Sequence, residues 1–214
     1  MEPLVPLDLD IEESETIEKS KVLLSREWSF WENYESKSPN QKESDYSKLL
    51  KEIFTFNEII SFWQFWNHYP GNDINKIFFD GEYLRYFFKE KYRIIAMNIF
   101  QKGIKPQWED EKNKNGNILT LSYTPSSADL DTFLPQASKS WIKLICLLIG
   151  ETLPNCGNIN GIRFVDKTKL GYKKSIIFKY EIWVNKNMKE NELDELKQYC
   201  NELFGCEGTI KPIK

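Results

Sequence analysis

The sequence predicts an α+β domain in which three helices pack on one face of an antiparallel sheet. Three observations carry this. Short apolar and aromatic runs at residues 27–31, 93–100, 118–123, 161–169 and 175–184 read as strands, and a turn at Gly171 joins the last two as a hairpin. Segments near 57–66, 138–150 and 190–204 instead repeat apolar residues at helical spacing. The strands come in hairpin order with the helices set apart between them, which favours a one-sided antiparallel sheet over alternating βαβ units.

In chain order, residues 1–25 divide from residues 26–214. The first twenty are acidic, lack aromatic residues and carry Pro3 and Pro6, so the segment reads as a disordered tail ahead of a single domain. Order is expected from near Trp28. The polar stretch 35–44, with Pro39 inside it, reads as a long loop. Asn57 is the expected cap of the first helix, in which Ile59, Phe62, Trp63 and Trp66 follow the i, i+3, i+4, i+7 pattern. Residues 81–92 are aromatic and basic and read either as a short helix or as an irregular insertion. Gly150 stops the second helix. The last helix repeats Leu193, Leu196, Cys200 and Leu203 on one face and ends at Gly205.

Composition excludes several function classes. A chain of 214 residues, 41% hydrophobic and 14% aromatic, is long enough to bury a sizeable core. Its net charge of −3 argues against non-specific binding to a nucleic-acid backbone, so any phosphate recognition must be local. The longest apolar stretch, 141–150, contains Lys143 and is too short to span a bilayer. No basic start followed by an apolar run marks a signal peptide. Cys146, Cys156, Cys200 and Cys206 show no CxxC pairing and read as free thiols in a reducing, cytoplasmic setting. His68 is the only histidine, and there is neither a Gly-rich phosphate loop nor a GxSxG elbow. No catalytic or metal-binding set is therefore expected.

The run Gly103-Ile104-Lys105-Pro106-Gln107-Trp108-Glu109-Asp110 is the most informative motif. It puts an electron-rich ring directly before a carboxylate. The indole offers a face for stacking on a base or a cation, and the carboxylate can accept two parallel hydrogen bonds from the N1 and N2 hydrogens of guanine. Methylation at guanine N7 would add a cation–π contribution. Taken alone, the pair reads as a buried Trp beside a surface acid.

Together with other segments, the motif builds a resemblance. Trp28-Ser29-Phe30-Trp31, Phe62-Trp63, Asn67-His68, the block 103–113, Asp129-Leu130-Asp131, the stretch Leu147-Leu148-Ile149-Gly150-Glu151, Gly161-Ile162-Arg163 and Glu181-Ile182-Trp183 occur in an order that resembles the eukaryotic translation initiation factor 4E family, proteins that bind the 7-methylguanosine cap of messenger RNA. The resemblance spans about residues 27–204. It implies a curved antiparallel sheet with three helices on its convex back and a cap slot on its concave front. It implies Trp108 as one wall of an aromatic sandwich, Glu109 as the reader of the guanine edge, Trp183 against the N7 methyl, and Lys167 and Lys179 on the phosphates. Lys167 stands where the family usually has Arg, so a point charge replaces a two-pronged grip. Tyr46 falls at the second wall, which is Trp in most members, with Tyr34 as its competitor. Ile118 falls where a further Arg is usual.

The resemblance also implies a groove on the back, formed by Ile59 and Trp63 with Ile142 and Cys146, for helices of scaffold initiation factors or repressors carrying a Tyr-x4-Leu-apolar motif. Lys143 departs from an acidic family position, and Val22-Leu23-Leu24 replaces an expected His-Pro-Leu. Two insertions, between His68 and Gly103 and between Phe133 and Trp141, have no assigned purpose. The expectation is a monomeric, non-enzymatic protein without cofactor or membrane attachment that recruits messenger RNA for translation. Three alternatives stay open: a cap-binding repressor, an interaction protein of this fold that has lost cap binding, and an enzyme acting on nucleotides or caps.

Overall fold

A computed structural model describes residues 22–36, 49–80, 83–85, 91–125, 130–168 and 176–213. Seven strands form one antiparallel sheet: β1 (Leu23–Ser36), β2 (Leu50–Glu58), β5 (Tyr92–Gln101), β6 (Asn117–Tyr123), β7 (Ile159–Asp166), β8 (Phe178–Val184) and β9 (Gly208–Pro212). Their spatial order is β2-β1-β5-β7-β8-β6-β9. The pair β3 (Phe79–Asp80) and β4 (Tyr83–Leu84) stands apart as a small ribbon. The helices are α1 (Ile59–His68), α2 (Ile74–Phe78), α3 (Leu130–Ile149) and α4 (Glu190–Phe204).

Strand alternation sorts the sheet into two faces. Trp28, Phe30, Ile99, Leu119, Leu121, Ile162, Phe164, Phe178, Tyr180 and Ile182 point to one side, where they join Phe62, Trp66, Trp141, Leu144, Ile145, Leu148, Leu193 and Leu196 of the helices in one continuous core. On the opposite, concave face Phe100, Ile104, Trp183 and Ile213 form a second, smaller apolar cluster, with Ile118 packed against it. The expected α+β architecture, a curved sheet backed by three substantial helices, is the observed one.

Several boundaries differ from the sequence expectation. β1 opens at Leu23, so residues 23–25 belong to a strand rather than to the tail. Asn57 does not cap α1. It lies in β2, and Glu58 takes the cap position with no side-chain bond to the helix backbone. β2 itself alternates, with Phe54 and Phe56 turned to the core and Ile53 exposed. α3 begins at Leu130, well before 138, because Phe133, Leu134 and Ala137 bury on the helical face despite Pro135 inside the helix. α2 and β9 have no counterpart in the prediction. The hairpin turn at Gly171 and most of the loop 35–44 lie outside the described residues.

Candidate ligand-binding face

Residues 102–116 join β5 to β6, which are not neighbours, so this loop bridges the ends of β7 and β8. It is built from within. The Asp110 carboxylate accepts the backbone N–H of Lys105 at 2.9 Å and of Lys112 at 3.0 Å. The fully buried Asn113 donates from Nδ2 to the carbonyls of Lys105 and Gln107, both at 2.8 Å. Asn160 of β7 donates to Lys112 O at 2.7 Å and Asn113 Oδ1 at 2.9 Å, tying the loop to the sheet. Gly103 (φ 84°) and Asn115 (φ 58°) supply the left-handed bends. Ile104 turns inward onto Phe100 and Trp183. Trp108 turns outward.

The result overturns the plain reading of Trp108 as a core residue. Its indole is 62% exposed, while Trp28, Trp141 and Trp183 are completely buried. Glu109 beside it is exposed as well. A large aromatic ring held in water by a braced loop is a ready stacking platform.

Below the loop, the concave face carries a chain of hydrogen bonds across four adjacent strands. Asn98 Nδ2 donates to Asn33 Oδ1 at 2.8 Å and to Trp31 O at 3.1 Å. Arg163 Nε donates to Asn98 Oδ1 at 2.8 Å, and Arg163 Nη1 to Glu181 Oε2 at 3.3 Å. The indole Nε1 of Trp183 donates to the same carboxylate oxygen at 3.2 Å. The Arg163 guanidinium lies 5.3 Å from the centre of the Trp183 ring. Burial pulls the Arg163 pKa down, and the Glu181 charge opposes that shift. Trp183 itself has no exposed surface, so in this conformation it cannot touch a ligand directly as expected. Ile104, Ile213 and Phe100 close round it, and it serves as the packed floor.

Lys179, half-buried, lies on the concave face four residues before Trp183, about 13 Å along the strand at roughly 3.3 Å per residue. Exposed Lys167 follows β7, with its N–H bonded to Ile177 O at 2.8 Å. The two lysines thus gather at the far end of the β7–β8 hairpin. Ile118 pairs with Trp183 in register and packs into the small apolar cluster. Tyr46 lies outside the described residues. Its competitor Tyr34 is buried, with its hydroxyl donating to Glu32 and Lys51 over its ring at 5.1 Å. Burial first, then the Glu32 carboxylate, raise the Tyr34 pKa. Tyr34 is a core group and offers no face to a ligand.

On the back, Phe62 and Trp66 anchor α1, while Trp63 stacks edge-on against Phe62 at 5.1 Å and stays 37% exposed. Ile59 and Ile142 are half-buried and Cys146 is exposed. Ile149, three residues after Cys146 on α3, is buried in the core. Val22 and Leu23, 54% and 64% exposed, reach the same region: Val22 O accepts from Ile59 N at 3.0 Å, and Leu23 pairs with Glu58. His68 is exposed, with Nδ1 2.7 Å from Gln64 O. No helix among the described residues is long and apolar enough to cross a membrane.

The sequence profile described as Eukaryotic initiation factor 4E matches residues 23–211. The chain belongs to this family. Among curated relatives, the initiation factor 4E of Candida albicans is 27% identical over 144 residues, covering 67% of this chain but only 58% of that protein. The isoform 4E of Solanum lycopersicum is 26% identical over 183 residues, covering 83% of this chain and 78% of the relative. Solved structures of the factor share the fold. C. elegans eIF4E-3 in complex with the 4E-binding protein Mextli superposes with a TM-score of 0.63 at 18% identity, covering 87% of this chain and 88% of that one. Schistosome eIF4E complexed with m7GpppG and 4E-BP gives 0.62 at 20% identity, covering 91% and 90%. Within this 4E-type fold, the braced Asp110–Asn113–Asn160 knot and the Arg163–Glu181 pair were missed by sequence reasoning. The second was available as opposite charges facing each other across the β7–β8 hairpin.

Proposed function

We propose that the chain binds the 7-methylguanosine cap of messenger RNA as a non-enzymatic, monomeric, cytoplasmic factor and recruits the message for translation initiation. The observation that carries this is the exposed indole of Trp108, fixed on a loop braced by Asp110 and Asn113, with the Glu109 carboxylate next to it. Trp108 stacks on the base and Glu109 reads the guanine edge. Tyr46 supplies the second wall. Trp183 backs the slot from below, and Lys167 with Lys179 hold the phosphates. Relatives of the same fold have been solved with cap ligands, including Ascaris suum eIF4E-3 with an m2,2,7G cap and Schistosome eIF4E with m7GpppG.

The partner surface is the back face formed by Ile59, Trp63, Ile142 and Cys146 together with Val22 and Leu23. It takes a Tyr-x4-Leu-apolar helix from a scaffold factor or a repressor. Its exposed apolar residues also favour a second reading, an interaction protein that works through this surface without the cap. Retention on immobilised 7-methyl-GTP with elution by 7-methyl-GTP but not by GTP supports the first reading. Failure of the folded protein to be retained, with capture of the peptide intact, supports the second.

A further inference from the structure

The outer edge of α3 carries positive charge that nothing in the fold uses. The helix buries Ala137, Trp141, Leu144 and Leu148 in the core. Its opposite edge presents Lys139, Lys143 and Cys146 to solvent at i, i+4 and i+7, with Ile142 half-buried beside them. Neither lysine has an ion-pair partner among the described residues, although the chain as a whole has a net charge of −3. The neighbouring elements leave no carboxylate unengaged. α1 contains none from Ile59 to His68. Glu58, just before it, accepts from Ser61 Oγ at 3.5 Å, and Glu151, just past α3, is held by Arg26. Asp131, the one acid within α3, lies about 12 Å along the axis from Lys139 at 1.5 Å per residue. The start of β1 joins the two helices: Val22 O accepts from Ile59 N at 3.0 Å, and Arg26 of the same strand reaches Glu151. The exposed Val22 and Leu23 therefore lie between the start of α1 and the end of α3. The back face is an apolar surface whose α3 side is rimmed by free positive charge.

A face of this kind holds a helix through its apolar anchors and chooses among helices by the charges around them. We infer that the back face selects a partner helix carrying Asp or Glu beside its apolar anchors and turns away one carrying Lys or Arg there, with Lys139 and Lys143 as the specificity-determining residues. The occupant is thus an acidic amphipathic helix of a scaffold factor or repressor. Exposed ion pairs add little to affinity. The lysines accordingly decide which helix docks, while Trp63, Leu23 and Ile142 supply the surface that holds it. This choice of partner rests on the back-face reading above and adds the charge that the partner must carry.

Fluorescence anisotropy titration tests it with labelled Tyr-x4-Leu-apolar peptides that differ only in carrying Glu, Gln or Lys at a pair of the spacer positions. At low salt, wild type should bind the Glu peptide about tenfold tighter than the Lys peptide, with the Gln peptide between them, the scale of two exposed attractions exchanged for two repulsions. The difference should shrink at high salt, which screens exposed charges. In the double variant Lys139→Glu/Lys143→Glu, whose substitutions are both on the surface, the order should reverse. Equal affinities in wild type, or an order that does not reverse in the folded double variant, overturns the role of the lysines. Trp63→Ala should abolish capture of the Glu peptide; capture that survives puts the peptide elsewhere and overturns the charge selection at this face. Wild type that binds none of the peptides overturns the back-face reading itself, and the charge preference with it.

Discussion

Trp108 and Trp183 are the same residue type with opposite roles, and truncating each to alanine separates them. Trp108 is 62% exposed, so Trp108→Ala removes little buried area and should cost folding about 1 kcal/mol at most, near an ordinary surface change. For a domain of this size that lowers Tm by roughly 2–4 °C. Stacking of a base on the ring is worth about 1–3 kcal/mol, so the Kd for 7-methyl-GTP should rise by roughly 5- to 150-fold. Trp183 is completely buried, and Trp183→Ala should cost folding about 3–5 kcal/mol and lower Tm by roughly 6–20 °C. Calorimetric melting and a fluorescence titration with 7-methyl-GTP on both variants make the comparison. Trp108→Ala that melts far below wild type would show the ring to be structural. Trp108→Ala with wild-type affinity would refute the stacking assignment.

Trp63→Ala should abolish capture of a Tyr-x4-Leu peptide while leaving Tm and 7-methyl-GTP binding close to wild type, because the ring is 37% exposed and lies away from the concave face; pull-down with parallel melting checks this. Asn113→Ala deletes two donated bonds and one accepted bond inside the loop, so urea unfolding should show a loss of roughly 2–4 kcal/mol, and 7-methyl-GTP binding should weaken although no ligand contact is removed. Glu151, bonded to Ser25 and to Arg26, has its carboxyl pKa lowered in the folded state, first by the Ser25 bond and then by Arg26. A depressed folded pKa gives stability that is present above the ordinary carboxylate range and lost as pH falls through the folded value. Glu151→Gln should therefore melt below wild type at pH 7, and the gap should narrow as pH falls below the ordinary carboxylate range.

Local patterns were legible where local forces decide. α4 reads directly from Leu193, Leu196 and Cys200 with Gly205 after it, and the structure ends that helix at Phe204 with Gly205 in the left-handed region. β6 and β8 are short and apolar enough to announce themselves. β9 was not legible, because Gly208 to Pro212 has no apolar alternation and becomes a strand only by pairing with β6. α2 is five residues long and owes its existence to burial of Ile74, Ile77 and Phe78 against the core, with Asp73 capping it. In the candidate site, Trp108 and Glu109 were visible as a motif, yet nothing local to the sequence says that the ring stays in water. That follows from Asn113, whose bonds reach backwards to Lys105 and across to Asn160. Burial of Trp183 likewise depends on Ile213 at the far end of the chain.

The strand order has a consequence for synthesis. β5 and β6 are joined directly in the chain, yet β7 and β8 lie between them in the sheet. About 60 further residues must leave the ribosome after Tyr123 before Val184 completes the insert, which at 5–20 residues per second takes roughly 3–12 s. Until β7 emerges the inner edge of β5 has no partner, and until β8 emerges neither does that of β6, with aromatic rings already in place beside them. The nascent chain therefore passes through a state with unpaired strand edges that can pair wrongly with other chains. A molecular chaperone that shields those edges until the hairpin arrives would raise the yield of native protein, and slowing elongation between β6 and β8 would lower it.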